Sequence, residues 1–266
     1  MSHPCPPSAC DSCSLPRPTA GRSDRDTAKS PWVVALAGNP NTGKSTVFNR
    51  LTGLRQHTGN WPGKTIARAE GTFVHHGQQY TLVDLPGTYS LRSASPDETV
   101  AREFILFGRP DVTLIVADGT CLERNLNLVL QILQITDRAV LGINLMDEAR
   151  ANRIEIDARR LAGELGVPVV LCAARSGEGI DALLAQIEVV ANRAEAAHPR
   201  QVKLHIPVLG EAVKDLTARL LTRFPGLANP GWIALRLLEG DQTVAARVAD
   251  GSLGGAIPDH AAESRP

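Results

Sequence analysis

Short continuous apolar runs alternate along this chain with stretches in which apolar residues recur at helical spacing. Residues 32–37, Trp-Val-Val-Ala-Leu-Ala, form the first such run and predict a buried strand. Residues 46–51 then place Val47, Phe48 and Leu51 on one helical face. Runs at 66–74, 79–83, 112–117, 139–143 and 167–173 predict further strands, with helices expected at 96–107, 122–135, 157–165 and 180–194. This alternation predicts an α/β fold, a mostly parallel six-stranded sheet with helices on both faces. The 66–83 hairpin adds one antiparallel edge. Pro96-Asp97-Glu98 places acidic residues where a helix macrodipole favours them. Residues 54–65 are rich in turn formers and predict a long functional loop. From Pro207 the alternation stops, and residues 208–221 and 232–238 predict a small C-terminal helical domain. The expected division is a disordered tail at 1–30, an α/β domain at 31–200, a helical domain at 201–250 and a disordered tail at 251–266.

Composition narrows the class. Lys+Arg 28 balances Asp+Glu 28, so the net charge gives no general reason to expect a nucleic-acid partner, with a local basic patch as the alternative. No run reaches the roughly 18–20 apolar residues of a membrane helix, and the N-terminus lacks an apolar signal core. The expected location is the cytoplasm. Cys5, Cys10 and Cys13, with His3 nearby, cluster in the Pro- and Ser-rich leading segment. Incidental thiols in a disordered tail are the preferred reading, with a metal or redox site as the alternative. His75-His76, in the turn between two strands, reads as a solvated tip in preference to a metal site.

The chemistry begins at Gly38-Asn39-Pro40-Asn41-Thr42-Gly43-Lys44-Ser45-Thr46, a G-x-x-x-x-G-K-S sequence between a strand and a helix. Backbone N–H groups of such a loop cradle phosphate oxygens, Lys44 reaches the terminal phosphates, and the Ser45 hydroxyl holds Mg²⁺. Asp84-x-x-Gly87 supplies a carboxylate to the Mg²⁺ sphere and a backbone N–H that senses the γ-phosphate. Thr65 reaches the metal through its hydroxyl while the γ-phosphate holds the 54–65 loop closed, which makes an order–disorder switch. Asn144-x-x-Asp147 ends a later strand. Its carboxylate accepts from guanine N1–H and the exocyclic amine, donors that adenine does not present, so GTP and GDP are the expected ligands. Asn144 is expected to bridge the base and the phosphate loop.

These motifs resemble the translation-factor type of small GTPase. More closely, Gly38-Asn39-Pro40-Asn41, Asn60-Trp61-Pro62-Gly63-Lys64-Thr65, Asp84-Leu85-Pro86-Gly87-Thr88-Tyr89-Ser90-Leu91 and Asp97-Glu98-Thr99-Val100-Ala101-Arg102-Glu103 are similar to the cytosolic G domain of bacterial ferrous iron transport protein B. So is Asn144-Leu145-Met146-Asp147-Glu148-Ala149, while 232–241 resembles that family's helical, GDI-like spacer. The resemblance implies a Mg²⁺-dependent GTPase acting as a switch in ferrous iron uptake. It also implies a membrane permease partner or a transmembrane domain beyond this sequence, and work at the cytoplasmic face of the inner membrane. A base-binding segment usually reading Ser-Ala-Arg or Ser-Ala-Lys here reads Ala173-Ala174-Arg175. The missing hydroxyl removes a loop-stiffening bond, while the Ala174 N–H is expected to face guanine O6. No glutamine follows Gly87, and Thr88 and Tyr89 offer no general base. By resemblance, K⁺ fills the charge-stabilising role, held by Asn41 and carbonyls from around Gly59 to Trp61. Asn41, Thr65 and Gly87 are thus the expected catalytic set. A soluble GTPase of RNA modification or ribosome assembly, and a GTP-binding module without hydrolysis, are the competing functions.

Overall fold

The computed structural model describes residues 31–53, 56–61, 65–92, 95–193, 207–227 and 229–254. Strand β1 (Trp32–Gly38) lies at the middle of a seven-stranded sheet of order β2-β3-β4-β1-β5-β6-β7. Its partners β4 (Gln78–Asp84) and β5 (Val112–Asp118) run parallel to it, and β6 (Ala139–Asn144) and β7 (Val169–Leu171) continue the parallel half. β3 (Ala67–His75) pairs antiparallel with β4, and β2 (Gln56–Asn60) antiparallel with β3. The carboxyl ends of β1, β4, β5 and β6 therefore open at one edge, where ligands of such sheets bind.

The seventh strand corrects the expectation of six. β2 falls in the stretch read as a loop, because Gln-His-Thr-Gly-Asn carries no apolar alternation. Its ladder with β3, from Gln56 opposite Gly71 to Asn60 opposite Ala67, holds it in place. An edge strand needs a neighbour's backbone, not a buried face.

Alternation along β1 sends Val34 and Leu36 to one face and Ala35 and Ala37 to the other. The first face packs on α1 (Lys44–Thr52) and α6 (Ile180–Ala191) through Val47, Phe48, Leu183 and Ile187. The opposite face packs on α2 (Pro96–Phe107) and α3 (Leu122–Leu133) through Val100, Ile105, Leu128 and Ile132. Two short helices, α4 (Met146–Ala151) and α5 (Ala158–Leu165), follow β6, and α4 was not expected. Six residues carry too little periodicity to reveal a helix.

Helices α7 (Pro207–Arg223), α8 (Pro230–Leu238) and α9 (Gln242–Ala249) complete the described chain. Leu220, Leu227, Trp232, Ile233 and Val244 join the same core as α2 and α3. Leu253, in a 3-10 turn at Ser252–Gly254, is buried there as well, so the packed chain passes Gly251, where a frayed end was expected. Residues 1–30, with the cysteine cluster, and the segment from 255 onward lie outside the described residues. No described helix is long and apolar enough to cross a membrane.

A buried ion pair ties α2 to this helical segment. Arg102 is almost wholly enclosed, and its guanidinium donates to Asp241 Oδ2 at 2.8 Å. Asp241 also caps α9, accepting from the N–H groups of Thr243 at 3.0 Å and Val244 at 3.2 Å. Glu103 pairs with Arg247 at 3.0 Å, and the Arg247 guanidinium lies 4.6 Å from the Phe107 ring centroid. Asp241→Ala strands a buried guanidinium, and unfolding in urea should show a loss of about 3–5 kcal/mol. The double variant Arg102→Met with Asp241→Ser keeps the cap and removes both charges, so it should recover most of that loss. Equal stability of Asp241→Ala and wild type would overturn the assignment.

Candidate functional site

Residues 38–46 run from the end of β1 through a tight loop into α1. Gly43 caps α1 with φ 77, and a Cβ there would lie 2.3 Å from Asn144 Nδ2, so backbone conformation and close approach both require glycine. Asn41 also has positive φ, at 65, and its side chain is exposed. Thr42 Oγ1 donates to Asn39 O at 3.0 Å, and the buried Asn39 Nδ2 has no hydrogen-bond partner. The first turn of a helix leaves backbone N–H groups without intrahelical acceptors, and α1 begins at this loop with no side-chain cap, a start suited to an anion cradle. Ser45 and Thr46 are exposed at that turn.

Lys44 and Asp84 meet across the sheet edge. Lys44 Nζ donates to Asp84 Oδ1 at 2.5 Å and to Leu85 O at 2.7 Å. Burial lifts the Asp84 carboxyl above its ordinary value, and the charge and hydrogen bond of Lys44 offset only part of the rise. The folded chain therefore keeps this proton over a pH window in which the unfolded chain has released it. The group favours folding below that window, and the contribution is lost as pH rises through it. The carboxylate of Asp84 and the hydroxyl of Ser45 are hard oxygen donors beside a phosphate-sized cradle. Such a set suits Mg²⁺ completed by phosphate oxygens and water.

The 84–91 segment is strung along the phosphate loop. Leu85 N–H donates to Leu36 O at 3.0 Å, and Thr88 N–H donates to Gly38 O at 3.3 Å. Gly87 lies against Pro40, whose Cα would be 3.4 Å from an added Cβ. Thr88 is buried, while Tyr89 is exposed with the Arg124 guanidinium 4.9 Å from its ring centroid. Thr65 is exposed just before β3, and among the described residues no hydrogen bond joins it to the other site residues. Residues Gly59 and Asn60 lie in β2, and Trp61 follows with its N–H bound to Ile66 O at 2.9 Å.

Asn144 links three loops. Its Nδ2 donates to Thr42 O at 3.0 Å, and its Oδ1 accepts from Ala174 N–H at 2.9 Å, all in a buried setting. Asn144, expected to bridge the base and the phosphate loop, joins the phosphate loop to the 173–175 segment. The Ala174 N–H, expected to face guanine O6, donates to Asn144 Oδ1. Leu145 follows with φ 60, a conformation that costs a non-glycine residue about 1–2 kcal/mol and aims the turn toward Asp147. Asp147 and Arg175 are exposed, while Ala173 and Ala174 are buried. The loop expected to lack a stiffening bond has others: Ser176 Oγ donates to Ala173 O at 3.0 Å, and Ala173 N–H donates to Glu178 O at 3.0 Å. Ser176 was missed because its role depends on a loop conformation that spacing does not encode.

The family model described as ferrous iron transport protein B matches residues 32–187. That is more than half of the chain. The chain belongs to the ferrous iron transport protein B family. The Fe(2+) transporter FeoB of Salmonella typhimurium strain LT2 is 41% identical over 215 residues, which are 79% of this chain and 27% of the relative. The counterpart of Escherichia coli strain K12 is 42% identical over the same length and shares. The chain thus spans about a quarter of the length of the curated relatives it matches. Among solved structures, the cytosolic domain of the T. maritima FeoB iron transporter in a GDP form is 36% identical, with a TM-score of 0.76. The match covers 83% of this chain and 85% of that one. The cytosolic domain of L. pneumophila FeoB is 32% identical, with a TM-score of 0.75, covering 83% and 86%. The P-loop α/β fold is therefore that of the family's cytosolic domain, with seven strands in place of the six expected.

Behind Asn144 lies Cys172, whose thiol points at Asn144 Oδ1 across 3.8 Å and is pushed up to about 12 by burial. At pH 8 only about one such thiol in 10⁴ is ionised, so modification requires this side of the site to open. With Cys5, Cys10, Cys13 and the exposed Cys121 replaced by Ser, an aromatic disulfide reagent should modify Cys172, the remaining thiol, in the folded chain at least 100-fold more slowly than in urea. A folded-state rate within threefold of the unfolded one would show that the thiol is not enclosed.

Proposed function

We propose that this chain binds GTP and hydrolyses it to GDP and phosphate, serving as the nucleotide switch in ferrous iron uptake. The observation that carries the reading is the Asn144 bridge, which fixes the Asn144-x-x-Asp147 turn to the phosphate loop at Thr42. Base and phosphate recognition then form one rigid unit. The family and the GDP- and GMPPNP-form structures of its T. maritima member support the ligand class. In this reading the α/β domain spans 31–200 and the helical domain 201–250.

The residues then take the following roles. The loop amides from Asn39 to Thr46 surround the phosphates, and Lys44 leaves Asp84 to meet the terminal ones. This releases the Asp84 carboxylate, with Ser45 and Thr65, to hold Mg²⁺. Bound Mg²⁺ supplies neutralisation of the charge that builds on the phosphate oxygens. Gly87, against Pro40, offers its N–H to the γ-phosphate, and its loss on hydrolysis releases the 84–91 segment. Asn41 contributes its exposed carbonyl oxygen to K⁺, together with carbonyls from Gly59 to Trp61. Those residues suit K⁺ because β2 is an edge strand, with carbonyls on its outer side free of sheet pairing. Asp147 accepts both guanine donors, Arg175 and Ala173 flank the base, and Ala174 shares its N–H between Asn144 and guanine O6. The output passes to a membrane permease, or to a transmembrane domain of the kind the longer relatives' length allows, at the cytoplasmic face of the inner membrane.

Two measurements test this. Asp147→Asn exchanges an acceptor for a donor, so GTP affinity should fall by about 100-fold or more, while xanthosine triphosphate, with a carbonyl in place of the amine, should gain. Unchanged GTP binding would remove the guanine assignment. Turnover should be faster in K⁺ than in Na⁺ for the wild type, and Asn41→Ala should abolish the difference. Equal wild-type rates in the two salts would remove the K⁺ role.

A further inference from the structure

At the far end of β4 from Asp84, the β3–β4 hairpin turns through two residues with positive φ, His76 at 47 and Gly77 at 75. Successive side chains of an extended strand point to opposite faces. Here the positive φ at His76 swings its ring back over His75, and the two rings stack with centroids 4.0 Å apart. Glu188, near the end of α6, lies against both. Its Oε2 is 2.9 Å from His76 Nδ1 and 3.5 Å from His75 Nε2. One ligand atom from each of the three residues falls within 4.8 Å of the others.

We propose that His75, His76 and Glu188 bind a divalent first-row transition-metal ion. A solvated turn does not account for the arrangement. His75 Nε2 is enclosed and has no hydrogen-bond partner, although it faces the Glu188 carboxylate. The hydroxyl of buried Tyr80 is likewise unpartnered, and the Glu188 charge adds to burial in raising its phenol. Tyr80 stacks on Phe73 within the core, with ring centroids 4.8 Å apart. A metal ion accepts the His75 nitrogen lone pair that nothing else takes. Ligands of a tetrahedral ion sit about 2.0–2.1 Å from it and so about 3.3 Å from one another, close to the two histidine–Glu188 separations, with the histidine atoms within 4.8 Å of each other. Two imidazoles and one carboxylate select zinc, cobalt, nickel or ferrous ions over Mg²⁺ and Ca²⁺. The His76 side is 70% exposed, which leaves an entry path and an open fourth position for water. The site lies about 20 Å from Asp84 along β4, at roughly 3.3 Å per residue, and does not rest on the nucleotide reading.

The test titrates Co²⁺ into the full chain with Cys5, Cys10, Cys13 and the exposed Cys121 replaced by Ser, which leaves only the buried Cys172, and with Mg²⁺ in excess. The first change removes thiolate competition, and the second masks oxygen sites. One Co²⁺ per chain should bind, give visible absorption bands of low coordination number, and be displaced by Zn²⁺. His76→Asn keeps a residue that tolerates positive φ and Glu188→Gln keeps the shape. Each should weaken Co²⁺ binding at least tenfold with the circular dichroism spectrum unchanged. Absence of saturable binding up to 1 mM Co²⁺, at roughly the weak end of metal sites, would overturn the proposal. So would binding that both variants leave intact.

Discussion

The site depends on one buried side-chain amide. Asn144 satisfies the Thr42 carbonyl with its nitrogen and the Ala174 N–H with its oxygen, and does so where water cannot substitute. Each of these groups, left unpaired in the interior, would cost about 1–3 kcal/mol. The loops after β1, β6 and β7 are thereby held in one geometry. That geometry forces the rest: Gly43 because a side chain would strike the Asn144 amide, and the strained Leu145 because the chain must turn at once toward Asp147. A carboxylate and a phosphate cradle on separate flexible loops could not discriminate a base with the same accuracy.

A second constraint acts through α2. The 84–91 segment, tied to the phosphate loop by the bonds to Leu36 and Gly38, leads through residues 91–95 into α2. That helix is fastened to the last helices by the enclosed Arg102–Asp241 pair and by Glu103–Arg247. A buried pair of this kind is stringent about position, since separating its members exposes a charge to an apolar interior. A displacement of α2 therefore has two outcomes: the helical segment moves with it, or the pair breaks. Three of these four residues carry part of the family resemblance, Arg102 and Glu103 in one region and Asp241 in the last.

β4 joins two chemically different ends. Asp84 sits with Lys44 at the phosphate edge, and the hairpin of His75 and His76 closes on Glu188 at the other. α6 makes the same traverse, starting just after the 173–178 loop and ending beneath the histidines. The enclosed imidazole nitrogen of His75 without a partner is more informative than the pairing of His76 with Glu188, because an exposed His–Glu contact is common.

Most of the parallel sheet and its covering helices were legible in the chain, since runs such as 32–37 and 112–117 are apolar for a local reason: both faces of each strand are covered. The phosphate loop, Asp84-x-x-Gly87 and Asn144-x-x-Asp147 were equally legible, because their spacing carries the chemistry. β2 was not, since its hydrogen bonds come from β3 and its own residues have no apolar face. Nor were α4 and α9, too short to establish a period, although Asp241 ahead of Val244 and Val248 was a usable cap signal for α9. The sequence by itself determined which ligand class the loop between β1 and α1 is shaped for and which family the chain resembles. Only the tertiary structure decided that Ala174 serves Asn144, that Arg102 meets Asp241, and that a histidine pair finds Glu188. Those partners lie 30, 139 and 112 residues apart, and nothing local in the sequence pairs groups that folding alone brings together.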